Sequence, residues 1–398
     1  MINFAELTLQ ELKDLDWDNM SEEDLLNARK ESLKCMSLEQ GVKLLIVSIY
    51  GAFGNEYFHW YNVAIAESVT GQGRSAIKYA MANIKKYFFE DFHRDRELLL
   101  HLKVPPEKLD SIKPLKNDPC IAGHTDSSYI SFEEPMLAVN RDGDATSFIL
   151  AFYQFRLKQF FVDMFEAFAR KYNTENFLEF ELETISDNGI WLTKGKYIQN
   201  IRWKDKKVYP NLTYIKPTGV EIISRSTPIF ARNSLMETVK FIFSKGRISI
   251  KHYPELIGRI KEIKKEFKLA GIEKTALTKK ISEYKKYVLN DTDGLEIASK
   301  CPIHVRAAAY HNYLVTKHGL KNKYGLISHD EKVKYYYCDD KFCNVFAFKP
   351  GNFPLDFAPK MNFEENFDKV ILSPINRLLG PAKLNPLHHS LAYTIAAF

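Results

Sequence analysis

Within residues 120–130, CIAGHTDSSYI, two short apolar runs flank the polar corner GHTDSS. This pattern reads as a β-hairpin that presents side chains at its tip. The corner carries one carboxylate, Asp126, and an imidazole, His124, two positions before it. Phosphoryl chemistry at a metal site calls for at least two carboxylates there, because Mg2+ takes hard oxygen ligands in an octahedron. A carboxylate beside an imidazole therefore indicates a different site, an altered one, or one completed from elsewhere.

A second constellation lies in GVKLLIVSIYGAFGN, where Lys43, Val47 and Tyr50 stand at i, i+4 and i+7 and so share one helix face. Gly51 lets a bulky ligand approach the backbone. A cation and an aromatic ring on one face suit a triphosphate and a base. An ordinary amphipathic helix with a solvated lysine has the same spacing.

These side chains need elements to hold them. The first 55 residues read as helix, with capping-box spacing at Thr8 to Glu11 and Ser21 to Asp24 and apolar residues from Leu25 to Ile49 at helical intervals. A second helix is expected over about 58–90, then a proline-containing loop (104–119), the hairpin, and a phenylalanine-rich helix over about 147–172. Residues 177–216 alternate apolar and polar side chains in three runs, separated by Asp187-Asn188-Gly189 and Lys204-Asp205, which predicts antiparallel strands. Helices resume at Pro228, with others near 254–268 and 276–288 and after Pro302; a β-rich stretch (333–349) and a helix near 363–379 precede the apolar tail SLAYTIAAF.

A chain of 398 residues with 45% hydrophobic and 13% aromatic side chains has enough material for packed cores and two or three domains. No run of about 18 apolar residues occurs, and the start MINFAELTLQELKDLDWDN is acidic, so neither a membrane span nor a signal peptide is expected. The five scattered cysteines form no CxxC pair, which argues against a disulfide framework or structural zinc and fits a reducing cytoplasm. Net charge is +6, but residues 231–290 hold 15 Lys plus Arg against 6 Glu, so one segment concentrates the positive field.

The order of these motifs carries further information. K-x-x-x-x-S-x-Y-G (Lys43 to Gly51), then T-D-S before a strand, then acidic strand residues in LEFELETI, then WLTKGKY and GVEIISRSTP, resembles the polymerase module of family B DNA polymerases, nearest to the T-even phage branch. Taken alone, T-D-S and G-V-E are weak signals; the specificity lies in five motifs in family order at compatible spacings. The resemblance implies that Lys43 and Tyr50 serve the phosphates and base of an incoming deoxynucleotide. Val47 stands where the family usually has asparagine. Asp126 matches the aspartate of D-T-D-S that is shared by two divalent metal ions, magnesium or manganese, and His124 takes the place of the first aspartate. Glu181 and Glu183 match an acid-x-acid strand beside that metal site; a solvated strand face has the same pattern. Tyr197 matches the lysine-x-tyrosine motif that holds the primer, with Gly195 where the lysine usually stands and Lys194 or Lys196 as substitutes. Arg225 lies in the segment leading from palm to thumb, and KCPIHVR, with Arg306, is similar to the start of a thumb helix.

The resemblance implies an α+β fold: a palm with an antiparallel sheet, partial fingers helices and a largely helical thumb. Its expected divisions are fingers 1–55, palm 56–228, thumb 229–385 and a tail 386–398. Arg247, Lys251, Arg259, Lys264, Lys265, Lys279, Lys280, Lys285 and Lys286 are expected to track duplex phosphates, which gives salt-sensitive binding without sequence readout; solvated helix faces are the plain alternative. The D-x-x-S-L-Y-P-S motif that supplies the other catalytic aspartate is absent from the sequence. The expectation is therefore a split polymerase in a phage-infected host cytoplasm. Met1 is its natural start, an N-terminal partner carries that aspartate and the exonuclease, primer-template DNA and deoxynucleotides are its substrates, and Ser390–Phe398 resembles a sliding-clamp peptide; a packed C-terminus fits that tail equally. The alternative is a weak or inactive pseudo-polymerase that holds DNA, which His124, Val47 and Gly195 favour. A metal hydrolase built on His124 and Asp126 lacks the further ligands expected nearby.

Overall fold

The computed structural model describes residues 2–8, 11–12, 14–124, 126–139 and 144–387. In chain order its main elements are α1 (Glu22–Phe53), α2 (Val63–Lys86), β1 (Cys120–Gly123), β2 (Ser128–Ile130), α3 (Ala145–Phe152), α4 (Lys158–Lys171), β3 (Thr184–Thr193), β4 (Lys196–Lys204), β5 (Lys207–Val208), β6 (Ile215–Thr218), α5 (Ile229–Ser244), α6 (Tyr253–Leu269), β7 (Leu277–Lys280), β8 (Val288–Asn290), β9 (Glu296–Ile297), α7 (Ile303–Lys317), β10 (Lys332–Tyr337), β11 (Val345–Phe348), α8 (Phe363–Phe367) and α9 (Ser373–Leu379). The class is α+β, with helices and small antiparallel sheets.

The chain divides into two compact units. The first takes residues 1–93, 114–131 and 163–178. Both expected caps form in it: the Thr8 and Glu11 side chains bond reciprocally to each other's backbone N–H, and Ser21 Oγ accepts from the Asp24 N–H at 3.1 Å. No residue of α1 is buried. By contrast α2 buries Ala76, Ala80 and Ile84, continues through a π turn (Tyr87–Asp91) that buries Tyr87 and Phe88, and packs against β1. Tyr79 meets Phe168 of α4 at 5.1 Å between ring centroids.

The second unit takes residues 94–113, 132–162 and 179–398. Its larger sheet has β4 at the centre, paired with β3, β5 and β6. Ile198 of β4 enters a core with Leu235 and Val239 of α5, Leu256 and Ile260 of α6, and Phe367, Ile371 and Ile375 from the C-terminal helices. Fully burying each such side chain stabilises the fold by about 1.5–3 kcal/mol. A second core joins α7 to the β11–β10–β7 sheet through Val305, Ala308, Tyr336, Phe346 and Phe348.

Three expectations are corrected. Asp187-Asn188-Gly189 is not a turn: it lies within β3 at a register shift, because Asp187 accepts from Asn200 Nδ2 (2.7 Å) and Arg202 Nη1 (2.9 Å) across the ladder while Asn188 Nδ2 donates to the Gly246 carbonyl at 2.8 Å. The helix expected over 276–288 is strand β7 followed by a short helical turn, Tyr284–Tyr287, since Leu277–Lys280 pair with Lys332–Tyr335 of β10 and Glu283 turns left-handed at φ 51°. The strand expected to carry Glu181 and Glu183 begins only at Thr184, the residue opposite Lys204, where its partner β4 ends. The tail Ser390–Phe398 lies outside the described residues.

The β3–β4 turn depends on two glycines. Gly195 has φ +75°, and Gly219 has φ +62° with a Cβ position 2.2 Å from the Gly195 carbonyl oxygen. Gly219→Ala should therefore cost about 2 kcal/mol or more, because strain and a backbone collision combine. Gly195→Ala, with open space around its Cβ position, should cost about 1 kcal/mol. Urea unfolding followed by tryptophan fluorescence checks the order; equal losses would contradict it.

Candidate functional site

The β1–β2 hairpin pairs Cys120 with Ile130 and Gly123 with Ser128, and the His124 N–H closes its tip by donating to the Ser127 carbonyl at 2.8 Å. Asp126 is exposed on that tip. The His124 ring stands edge-on to Tyr129, 5.6 Å between centroids and 87° between planes. Behind the tip, Gly123 lies so close to α2 that a Cβ there would sit 2.8 Å from Met81 Sδ. Burial pushes the Cys120 thiol up to about 11, which leaves it a packing group and not a nucleophile.

Lys43, Val47 and Tyr50 fall on one uninterrupted helix and are exposed, as the sequence predicts. No atom comes within 4 Å of the Cβ position of Gly51. That stretch of α1 is open to a ligand from the side chains and from the backbone.

Glu181 and Glu183 lie on an extended, unpaired segment of the second unit, where Phe180 and Leu182 are half-buried and Glu179, Glu181 and Glu183 exposed. The three glutamates, with Leu182, Trp203, Asp205 and Lys206, line a cavity of about 580 Å³. Lys216 Nζ approaches Glu183 at 3.7 Å. At the other end of β4, the exposed Lys194 and Lys196 flank the turn at Gly195, while Tyr197 is buried, pairs with Thr218 and stacks on Trp191 at 6.4 Å and 17°. Positive φ gives the physical reason for glycine at 195: a lysine there would be strained in the left-handed region.

The basic segment divides by what its side chains do. Arg259 packs over the Phe241 ring at 4.6 Å and approaches Glu255, Lys264 pairs with Glu364, Lys280 with Asp330 at 3.0 Å, and Lys286 with Glu283 at 2.9 Å. Arg306 donates to Asn344 Oδ1 at 3.1 Å. Arg225, Arg247, Lys251, Lys265, Lys279 and Lys285 are exposed and form no ion pair among the described residues. These six are the freest to meet an anion.

Sequence reasoning missed a buried polar residue that ties the turn at Tyr284 to α7. Asn312, buried in α7, donates to Asp291 Oδ2 (3.0 Å), Tyr284 Oη (2.8 Å) and the Ile327 carbonyl (2.9 Å), and accepts from the Ile327 N–H (2.7 Å). Tyr284 Oη also donates to Asp291 at 2.6 Å, and burial followed by that contact pushes its hydroxyl far up. The available signal was one amide in the apolar run RAAAYHNYLV.

The sequence matches DNA polymerase family B over residues 23–342, and the chain belongs to that family. It is 24% identical over 292 residues to a DNA-directed DNA polymerase of Enterobacteria phage T4, covering 70% of this chain and 29% of that protein. It is 22% identical over 269 residues to a DNA-directed DNA polymerase of Escherichia phage RB69, covering 61% and 26%. The chain thus spans under a third of the length of either relative, and both support the T-even-like branch assignment. No helix among the described residues is long and apolar enough to cross a membrane.

Asn312→Ala would leave the buried Ile327 N–H and carbonyl without their Asn312 partner and remove one donor from the Tyr284–Asp291 pair, which keeps its own hydrogen bond. The expected loss is roughly 2–4 kcal/mol, accompanied by faster hydrogen exchange at the Ile327 amide; an unchanged amide would show that the network is not cooperative.

Proposed function

We propose that this chain is the palm-and-thumb portion of a DNA-directed DNA polymerase, acting in template-directed nucleotidyl transfer with an N-terminal partner that brings the other catalytic aspartate and the exonuclease. The divisions that fit are fingers 1–55, palm 56–228 and thumb 229–385. The observation that carries the reading is Asp126, exposed on a closed hairpin tip and standing in the family's order of motifs. α1 supports a partner: it leaves Leu44, Leu45, Ile46, Val47 and Tyr50 exposed, a surface that water disfavours.

Asp126 offers a hard oxygen donor, but no group of three or more His, Cys, Asp or Glu side chains gathers for a metal ion among the described residues. The donors of this chain fit a divalent ion only as part of a set completed by the partner. When bound, two such ions, magnesium or manganese, lower the pKa of the primer 3'-hydroxyl and neutralise charge on the leaving pyrophosphate. The chain's own residues act around that chemistry. Lys43 takes the triphosphate, Tyr50 the base, and Lys194 or Lys196 beside Tyr197 the primer strand, while the exposed cations of 225–286 follow duplex phosphates. Host cytoplasm during phage infection is the compartment this activity implies, and a sliding clamp at Ser390–Phe398 completes the proposed partners.

One observation favours a second reading. His124 removes a negative charge from the tip and is a poorer magnesium ligand than a carboxylate, though manganese accepts imidazole more readily. A palm kept to hold primer-template for another enzyme would tolerate that exchange.

Primer extension by the chain with its partner, in Mg2+ and in Mn2+, separates the two. Asp126→Ala should lower extension by about 100-fold or more, the scale of removing a strong transition-state contact, and His124→Asp should raise it in Mg2+. No extension from the wild-type mixture, with rescue by His124→Asp, would establish the DNA-holding reading.

Lys265→Ala and Lys285→Ala should each lower the slope of log affinity against log salt by about 1 without changing sequence preference. Duplex binding titrated from low to moderate salt tests this; an unchanged slope would remove these lysines from the DNA surface.

A further inference from the structure

The extended segment bearing Glu181 and Glu183 lies just outside the β3 ladder, which begins at Thr184, and its carboxylates line one cavity. Glu179, Glu181, Glu183 and Asp205 line that space with one cation, Lys206. Like charges in a shared cavity repel, so a free segment would spread. Beyond the approach of Lys216 to Glu183 at 3.7 Å, the segment needs an anchor on the face opposite the glutamates.

Two contacts supply it. The Phe180 ring stands edge-on to Phe161 at 5.6 Å and 78°, and the Leu182 N–H donates to Tyr153 Oη at 3.3 Å. Leu182 is the residue between the two candidate glutamates, so this one hydrogen bond fixes the backbone on which both are carried.

Tyr153 reaches that position because the helix is irregular beneath it. Residues Tyr153–Leu157 form a π turn, in which the Lys158 N–H donates back to the Tyr153 carbonyl. The wider turn hands out side chains in directions a regular helix would not, and such turns concentrate at functional sites. Its far side is pinned: Arg156 Nη2 donates to Asp95 Oδ1 at 2.7 Å and to Glu97 Oε2 at 3.2 Å, and Asp95 in turn caps the helix Arg96–His101 by accepting from the Leu98 N–H. A fixed turn therefore presents a fixed hydroxyl.

We propose that Tyr153 is a positioning residue for the polymerase site, holding Glu181 and Glu183 in place through the Leu182 amide. The proposal rests on the polymerase reading above and on the expectation from the family resemblance that Glu181 and Glu183 stand beside the metal site. Tyr153→Phe keeps the largely buried ring and removes only the acceptor. Exchange of the Leu182 amide should then speed up about tenfold, the worth of one hydrogen bond. In the polymerase assembled with its partner, the Mg2+ concentration giving half-maximal extension should rise about tenfold, the usual cost of losing a group that orients a ligand. Affinity for primer-template should stay unchanged.

Glu181→Gln, Glu183→Gln and Asp126→Ala measured alongside separate the failures. Glutamine variants that shift the Mg2+ titration while Tyr153→Phe does not would overturn the positioning role. Glutamine variants without effect, alongside loss with Asp126→Ala, would remove the acidic segment from the site and the proposal with it. Loss of Leu182 protection in Tyr153→Phe with no change in the titration would reduce Tyr153 to a local packing residue, which also overturns it. Should Tyr153→Phe lower the melting temperature strongly, Arg156→Gln, which releases the π turn from its far side, provides the same two readouts.

Discussion

Strand β4 hydrogen-bonds to three neighbours and ties their sheet to the core under α5 and α6. Its middle, Ile198 to Ile201, is buried, and Ile198 enters the core formed by α5, α6 and the C-terminal helices. Each end then presents something different. The first end carries Lys196 and Tyr197 beside the Gly195 turn, and the last carries Trp203 and the turn Asp205-Lys206 at the acidic cavity. From Lys196 to Lys204 an extended strand spans at most roughly 26 Å. Lys194 and Lys196 consequently lie at the end of the strand opposite the glutamate-lined cavity.

That arrangement explains why the two glycines at 195 and 219 matter beyond their own turns. Gly195 lets β3 return as β4 within two residues, and the contact between its carbonyl and Gly219 brings the end of β6 against the same turn. Where the backbone comes this close, side-chain identity is dictated by geometry before function is considered. A lysine at 195 would have space for its side chain but would be strained in the left-handed conformation. The flanking positions 194 and 196 are exposed and carry the charge instead.

Much of the fold was legible because its signals are local. Caps at Ser21 and Thr8, the apolar runs around GHTDSS, Pro228 before α5 and Pro302 before α7 act within a few residues, and each element forms where expected. The misreadings share one cause, which is that distant partners overrode local composition. Asp187, Asn188 and Gly189 are turn formers, yet Asn200, Arg202 and Gly246 claim the first two within a strand. Lys279 and Lys280 look helical until β10 claims their backbone. The same limit applies to the candidate site: motif order points to Asp126, Lys43 and Tyr50, whereas Tyr153 and Asn312 bond to partners 29 and up to 28 residues away that no motif records.

The three positions at which the resemblance implies other residues are physically unlike one another. Gly195 is imposed by the backbone. Val47 is 59% exposed on α1, and nothing in the structure explains it. His124 is a third kind, because the bond that shapes the hairpin tip is made by its backbone N–H to Ser127, which any residue but proline supplies. Exchanging aspartate for histidine there leaves the tip's backbone geometry to its hydrogen bonds and changes charge and ligand hardness. The difference at this position is thus one of charge and ligand chemistry, with Asp126 exposed on the hairpin that the backbone bond closes.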